Sequence, residues 1–195
     1  LTRSESSQIW IEAGYRLFAY EGPEGVQVEK LARLVNRNKS GFYHHFGDRD
    51  LFFSELIVYH YGVIEQFCYE ISQLRHFDPD YLHLLIGYKT SAFIQMQLRR
   101  NMKIPLFKET FHKVRKRTER ELMPLWAAYV KLPVNLPLAQ ELWNILRDVF
   151  FTRLTGEDLD FDSLHAMVHE FSQIVEKLKH MAGKAVVFPV SPNGG

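Results

Sequence analysis

Val28-Glu29-Lys30-Leu31-Ala32-Arg33-Leu34-Val35-Asn36-Arg37-Asn38-Lys39-Ser40-Gly41-Phe42-Tyr43-His44-His45-Phe46-Gly47-Asp48-Arg49-Asp50-Leu51 carries two short helical segments back to back. The first, about residues 27–35, ends at Asn36, a residue that tolerates the left-handed backbone closing a helix. Asn38 is a good N-cap for the second, about residues 39–45, which Gly47 can terminate. Asp48 can then cap a longer helix running through Leu51, Leu56, Val63 and Phe67. Two short helices joined by a tight turn, with a helix before and a capped helix after, make a helix-turn-helix. Consecutive helix positions diverge by about 100°, so Phe42 turns inward while Tyr43 faces out, and Phe46 folds back onto the same core.

Outward from this unit the chain is all-α, because apolar positions recur at three and four and Gly and Pro separate segments of helical length. Upstream, Ile9, Ala13 and Leu17 mark a helix over about residues 4–20, ended by Gly22-Pro23-Glu24-Gly25. Downstream, Asp78 caps and Pro79 opens a long segment reaching about Arg100. Pro105 marks a short break. Helices follow over about 111–129, kinked at Pro124, over 138–154, and over 161–181, with an acidic turn at 155–160. The expected organisation is a helix-turn-helix domain over 1–50, a helical bundle over 51–181, and an extended or disordered tail over 182–195.

The composition supports a folded core: three Trp, nine Tyr and fifteen Phe among 195 residues, 46% of them hydrophobic. The single Cys68 cannot form an internal disulfide, and no Cys cluster has metal-ligand spacing, which fits a reducing compartment and a cytoplasmic protein. No apolar run approaches the roughly 20 residues that span a bilayer, and the start Leu1-Thr2-Arg3-Ser4-Glu5 has no signal-peptide core, so no membrane partner is expected. The formal charge of +1 conceals a pattern. Between residues 30 and 49, Lys30, Arg33, Arg37, Lys39 and Arg49 face one acid, Asp48, for a local net of +4.

A helix-turn-helix places the start of its second helix against base edges in a major groove, while neighbouring groups hold phosphates. Lys39 and Ser40 occupy the reading positions; Lys39 can reach guanine O6 and N7, and Ser40 is an adaptable donor or acceptor. Arg37 and Asn38 stand at the entry to that helix, and Gly41 leaves room for close backbone approach. Tyr43 and His44 can reach phosphate oxygens. Arg49 and the free amides of the Asp48-capped helix offer a second phosphate clamp.

These residues resemble the DNA-binding domain of the tetracycline-repressor (TetR) family of bacterial regulators. The resemblance rests on Phe42-Tyr43-His44-His45-Phe46 with Leu51 behind it, and on the Leu31-Ala32 pair upstream, and it covers about the first 60 residues. It implies a homodimeric repressor on a double-stranded DNA operator, whose C-terminal helical domain binds a small-molecule effector and dimerises through its last two long helices. Three departures stand out. Gln27 replaces the usual Thr or Ser cap, a loss of about 1 kcal/mol. Asn36-Arg37 replaces Gly-Val, so Arg37 either snorkels towards DNA or the turn is rearranged. Ser40-Gly41 stands where Gly and then a hydroxyl residue are usual.

The dimer expectation falls on Leu142, Leu146, Val149, Phe150, Leu164, Met167, Val168, Phe171 and Val175, since a helix apolar over so much of its circumference must bury more than one face. For an effector pocket the candidates are the aromatics Tyr88, Phe93, Phe107, Phe111, Trp126 and Tyr129, with Met96 and Met102 as adaptable wall residues. A second basic stretch, 99–120, has nine basic residues against Glu109 and Glu119, a net of +7. It is either a solvated helix face, a surface for DNA phosphates, or a means of drawing in an anionic ligand. His165 and His169 have the spacing of a metal pair but fit ordinary surface or dimer contacts better, so neither metal nor cofactor is expected. The rival class is a helical carrier or sensor of an apolar molecule, using its basic surfaces for a protein or membrane partner. An enzyme ranks third, because no nucleophile elbow, phosphate-binding Gly loop or metal cluster is present.

Overall fold

The computed structural model describes residues 5–153 and 159–185, with no strand among them. Its helices are α1 (Glu5–Gly25), α2 (Val28–Leu34), α3 (Lys39–Phe46), α4 (Arg49–Gln73), a wide single turn Phe77–Tyr81, α5 (Leu82–Gly87), α6 (Lys89–Arg100), α7 (Pro105–Tyr129), α8 (Pro137–Arg153) and α9 (Phe161–Ala185). α1 breaks at Gly22 (φ 72°), one residue before Pro23, as the sequence leads one to expect. Asn36 (φ 51°) and Gly47 (φ 74°) take the left-handed backbone that ends α2 and α3.

Several boundaries differ from expectation. The segment after Pro79 divides at Tyr88 into α5 and α6. Asp78 is extended, with no capping bond, and its peptide to Pro79 is cis. The short break falls at 101–104, and Pro105 itself starts α7, ahead of the expected start near 111, because proline's missing N–H costs nothing in the first turn. α7 then continues through Pro124. Residues 182–185, expected in the tail, belong to α9; the acidic turn at 155–158, Leu154 and the tail from 186 lie outside the described residues.

One hydrophobic core joins α1–α4 to α6 and α7, so the N-terminal unit is built onto the bundle instead of hanging from it. Phe107 is the rivet: its ring meets Phe18 of α1 at 5.2 Å and Phe53 of α4 at 5.5 Å. Phe93 meets Tyr20 at 5.3 Å, and the Gln97 side-chain amide donates to the Ala19 carbonyl at 3.3 Å. α1 and α4 cross at Gly14, where an added Cβ would stand 2.3 Å from the Phe52 ring. Only glycine permits that approach. A second core gathers Phe77, Tyr81, Trp126, Trp143 and Val175 at the far end of the bundle.

Candidate functional site

α3 is held from beneath by aromatic rings and set at its start by a side chain. Phe42 is fully buried and packs on Trp10 (5.7 Å), Phe46 (5.2 Å) and Phe52 (5.2 Å); Phe46 in turn meets Phe52 at 4.9 Å. Aromatic pairs at such distances contribute about 0.5–1.5 kcal/mol each beyond their area. Asn38 Oδ1 accepts from the Gly41 amide at 2.9 Å and from the Ser40 hydroxyl at 2.8 Å. Asp48 Oδ1 accepts from the Leu51 amide at 2.8 Å and starts α4. No side chain caps α2, so the vacancy at Gln27 is real.

With Phe42 inward, the outer face of α3 presents Lys39, Ser40, Tyr43 and His44, all exposed, Tyr43 by 51%. Arg37 is also exposed, its guanidinium donating to the neighbouring Asn36 carbonyl at 3.2 Å, while the turn keeps the backbone that Asn36 allows. Gly41 is half-buried, and a Cβ there would meet nothing nearer than Asn38 Oδ1 at 3.5 Å. The fold itself does not require that glycine. His45 is turned back to the Ser6 hydroxyl at 3.0 Å.

The charges here are engaged locally. Lys39 Nζ lies 2.7 Å from Glu29 Oε1 and holds that carboxyl below its ordinary range, by hydrogen bond first. Lys30 pairs with Glu21. Exposed pairs of this kind are weak and exchange readily for other anions. Arg49 is placed otherwise than expected: its guanidinium donates to the Pro23 carbonyl and lies 5.2 Å over the Phe53 ring, with Nε buried. It braces the end of α1 against α4, so the amides at the start of α4, not this side chain, remain for phosphate.

A cavity of about 120 Å³ lies inside the bundle, walled by α4–α9. Of the expected pocket residues, only Tyr88 and Phe111 line it. Phe93, Met96 and Phe107 are buried in the core shared with α1, and Met102 packs against that core. Trp126 is fully buried, its indole donating to the Ala139 carbonyl at 2.9 Å, and Tyr129 packs on Phe77 at 5.2 Å. The cavity's polar residues are Ser91, Gln95, Arg115, Thr118, Glu119 and Arg147, from three helices; sequence reasoning pointed only to Arg115, within the basic stretch 99–120 offered to an anionic ligand, and Ser91, Gln95 and Arg147 carried no signal. One of them leads to α1: Gln95 Nε2 stands 2.8 Å from His60 Nε2, and His60 Nδ1 stands 2.8 Å from the Tyr15 hydroxyl. Burial pushes His60 down to about 3 and raises Tyr15 well above the ordinary phenol range.

The expected dimer residues divide. Leu142, Leu146, Leu164, Val168 and Val175 are buried within this chain, while Val149, Phe150, Met167 and Phe171 are half-buried, Phe150 and Met167 at the cavity. The apolar residues that α8 and α9 leave exposed are instead Leu138, Ile145, Ile174, Leu178 and Met181. The rings of His165 and His169 stack at 6.1 Å, with His165 Nδ1 3.0 Å from Asp78. Among the described residues no group of three or more His, Cys, Asp or Glu could hold a metal, and no helix is long and apolar enough to cross a membrane.

Residues 11–56 match the sequence model of bacterial regulatory proteins of the tetR family. No curated protein matches the chain. Among solved structures, the fold is similar to a transcriptional regulator of the TerR/AcrR family from Aquifex aeolicus VF5, with TM-score 0.58 and 18% identity over 90% of this chain and 99% of that one. It is similar also to a TetR-like transcriptional regulator from Rhodococcus sp. RHA1, with TM-score 0.57 and 16% identity over 94% of this chain and 99% of that one. The fold and the matched segment define an all-α protein with an N-terminal helix-turn-helix unit and a helical C-terminal domain. Over residues 11–56 the chain is similar to the tetracycline-repressor family, and over the remainder its likeness to the solved structures is one of fold.

Proposed function

We propose that this protein is a homodimeric repressor whose operator affinity is lowered by a small molecule bound in the bundle cavity. The observation that carries the DNA-reading part is α3 itself, capped by Asn38, seated on an aromatic floor, and presenting Lys39, Ser40, Tyr43 and His44 to solvent. Arg37 and Asn38 flank its entry, and Gly41 leaves its first turn open. In each subunit α3 enters a major groove, with half-sites roughly 34–36 Å apart or a multiple of that. Lys39 exchanges Glu29 for a base edge or phosphate. Replacing Lys39 and Tyr43 together by Ala abolishes the gel shift on an operator selected from a random DNA pool, with sedimentation unchanged. An undiminished shift would sink the assignment. Affinity that falls steeply with salt separates a DNA reader from a carrier or sensor of apolar molecules.

The dimer is assigned to the exposed stripes of the last two helices. Ile174, Leu178 and Met181 recur at four and three along α9, and Leu138 and Ile145 share a face of α8. A two-fold axis through these stripes buries both. Ile174→Glu with Leu178→Glu converts the dimer to monomer in sedimentation; a dimer that survives both changes overturns the placement.

The effector reading is supported by the position of Gln95, which meets both the cavity and His60, and through His60 reaches Tyr15 of α1. A molecule that displaces Gln95 changes a bonded contact beneath the DNA-reading unit. It lowers operator affinity by its differential binding to the two arrangements. Under this reading, His60→Phe uncouples ligand from DNA, leaving ligand affinity in place while reducing the effector's influence on the gel shift.

A further inference from the structure

The cavity closes at one end on a charged cluster that the DNA-reading unit does not use. Glu119 Oε1 accepts from Arg115 Nε at 3.0 Å, from the Trp143 indole at 3.1 Å, and from Arg147 Nη1. Asn144 Oδ1 accepts from Arg115 Nη2 at 3.1 Å, from Arg147 Nη1 at 2.9 Å and from Gln140 at 3.3 Å. Each guanidinium carries five N–H donors, yet two oxygen atoms serve both arginines. Asp148 is the other acid nearby, 3.7 Å from Arg147 Nη2, but it is exposed and holds Arg99 at 3.0 Å. The charged lining of the cavity is therefore two guanidinium groups and one carboxylate, a net of +1. Burial, and then the neighbouring Arg115, holds Arg147 below the usual guanidinium range. The Arg147 side chain is only 12% exposed and that of Arg115 33%, so the cluster runs from the interior outwards.

Apart from Ser91, Gln95 and Thr118, the remaining wall is aliphatic and aromatic, its rings including Phe67, Phe77, Phe111, Phe150 and Phe151. A cavity of about 150 Å³ lined by such side chains admits benzene; this one, about 120 Å³, is of the same order.

We infer that the cavity receives a small apolar carboxylate with a body about the size of one ring, its carboxylate held by Arg115 and Arg147. Planar guanidinium groups pair with carboxylates through parallel N–H···O bonds, and these are the stronger for being only partly hydrated. A neutral ligand of the same shape gains only the apolar contact. An ammonium of that shape meets two cations and one acid. The inference rests on the effector reading of the cavity and deepens it by naming the ligand's chemistry.

The test is calorimetric titration of the full chain with benzoate, benzyl alcohol and benzylamine. Benzoate binds at least tenfold more tightly than benzyl alcohol, and benzylamine more weakly than either. Arg147→Met removes the preference for benzoate and keeps the binding of benzyl alcohol. Glu119→Gln, which leaves an acceptor in place but removes the competing charge, strengthens benzoate binding several-fold without changing benzyl alcohol; a purely structural role would weaken both. Benzyl alcohol or benzylamine equalling benzoate overturns the anion assignment while leaving the cavity a ligand site, and failure of all three to bind overturns the inference entirely. Benzoate binding with operator affinity unchanged leaves the site chemistry standing and removes the effector reading instead.

Discussion

The two basic stretches of this chain, 30–49 and 99–120, differ in what their charges meet. The smaller one, with a local net of +4, keeps most of its cations at the surface of the helix-turn-helix, in exposed pairs with upstream acids or on backbone carbonyls. The larger one, net +7, sends several inward or sideways, to partners one helical turn on or far along the chain. Arg99 reaches Asp148, Arg117 reaches Glu65 and Glu121, Arg115 reaches Glu119, and Lys113 sits 4.5 Å over the Tyr61 ring. The stretch with the greater net charge thus spends part of it on the bundle, through the half-buried Arg99, Arg115 and Arg117, and keeps Arg100, Lys103, Lys108, Lys113, Lys116 and Arg120 at the surface. A charge count along a sequence measures supply; the fold decides how much is left over.

The strongest way to break this contrast is to remove one acid partner of each stretch. Glu119→Ala leaves two partly buried guanidinium groups without their carboxylate and lowers unfolding stability by about 3 kcal/mol in a urea titration. Glu29→Ala, beside the exposed Lys39, leaves the urea midpoint where it was. Equal losses from the two would erase the distinction.

Acid acts on the buried histidine that links the cavity to α1. His60 has a folded pKa depressed to about 3, against about 6.5 when unfolded. The stability it contributes is complete above pH 6.5 and is lost as pH falls from there towards 3, because only the unfolded chain takes up the proton. The slope approaches about 1.4 kcal/mol per pH unit. His60→Gln flattens that slope in stability measured against pH; a slope unchanged by this substitution would remove His60 from the account.

Capping gives the next effect. Asn38→Ala costs about 1 kcal/mol in thermal unfolding and weakens operator binding, since it frees the start of α3. Gln27→Ala changes neither, having no capping bond to lose. The smallest effect is a slope: Lys39→Gln lowers the salt dependence of operator binding by about one counterion per subunit, while Lys116→Gln, exposed on α7 in the larger stretch, leaves it unchanged. A drop for Lys116 as well would return that stretch to the list of DNA surfaces.

The helix-turn-helix was legible because its determinants are local. Asn38 to Gly41 and Asp48 to Leu51 span three residues each, and Asn36 and Gly47 announce their backbone by residue type. The cavity was not legible in that way. Arg147 and Glu119 are 28 residues apart, and His60 lies 35 from Gln95 and 45 from Tyr15. Aromatic type alone does not separate Phe111, at the cavity, from Phe107, four residues before it and fixed against α1 and α4. On α8 and α9 the sequence showed that two faces are apolar but not which one faces the chain's own core. Leu142 and Val175 turned inward, Ile145 and Ile174 outward. Arg49 misled for a different reason: its carbonyl partner, at Pro23, becomes available only because α1 breaks at Gly22.

The crossing at Gly14 sets a mechanical condition on the whole molecule. With Phe52 pressed onto the bare backbone of α1, and Phe42 and Phe46 pressed onto Phe52, there is no compliant layer between α1, α3 and α4. α4 has 25 residues, so at 1.5 Å per residue it is a rod about 37 Å long. Its cavity-lining residues, Ile64 and Phe67, lie towards the end remote from α3. A tilt of about 5° about that remote end carries the other end through about 3 Å, the width of a single base step. Small rearrangements at one end thus arrive at the other as a change of register, with geometric gain supplied by length alone.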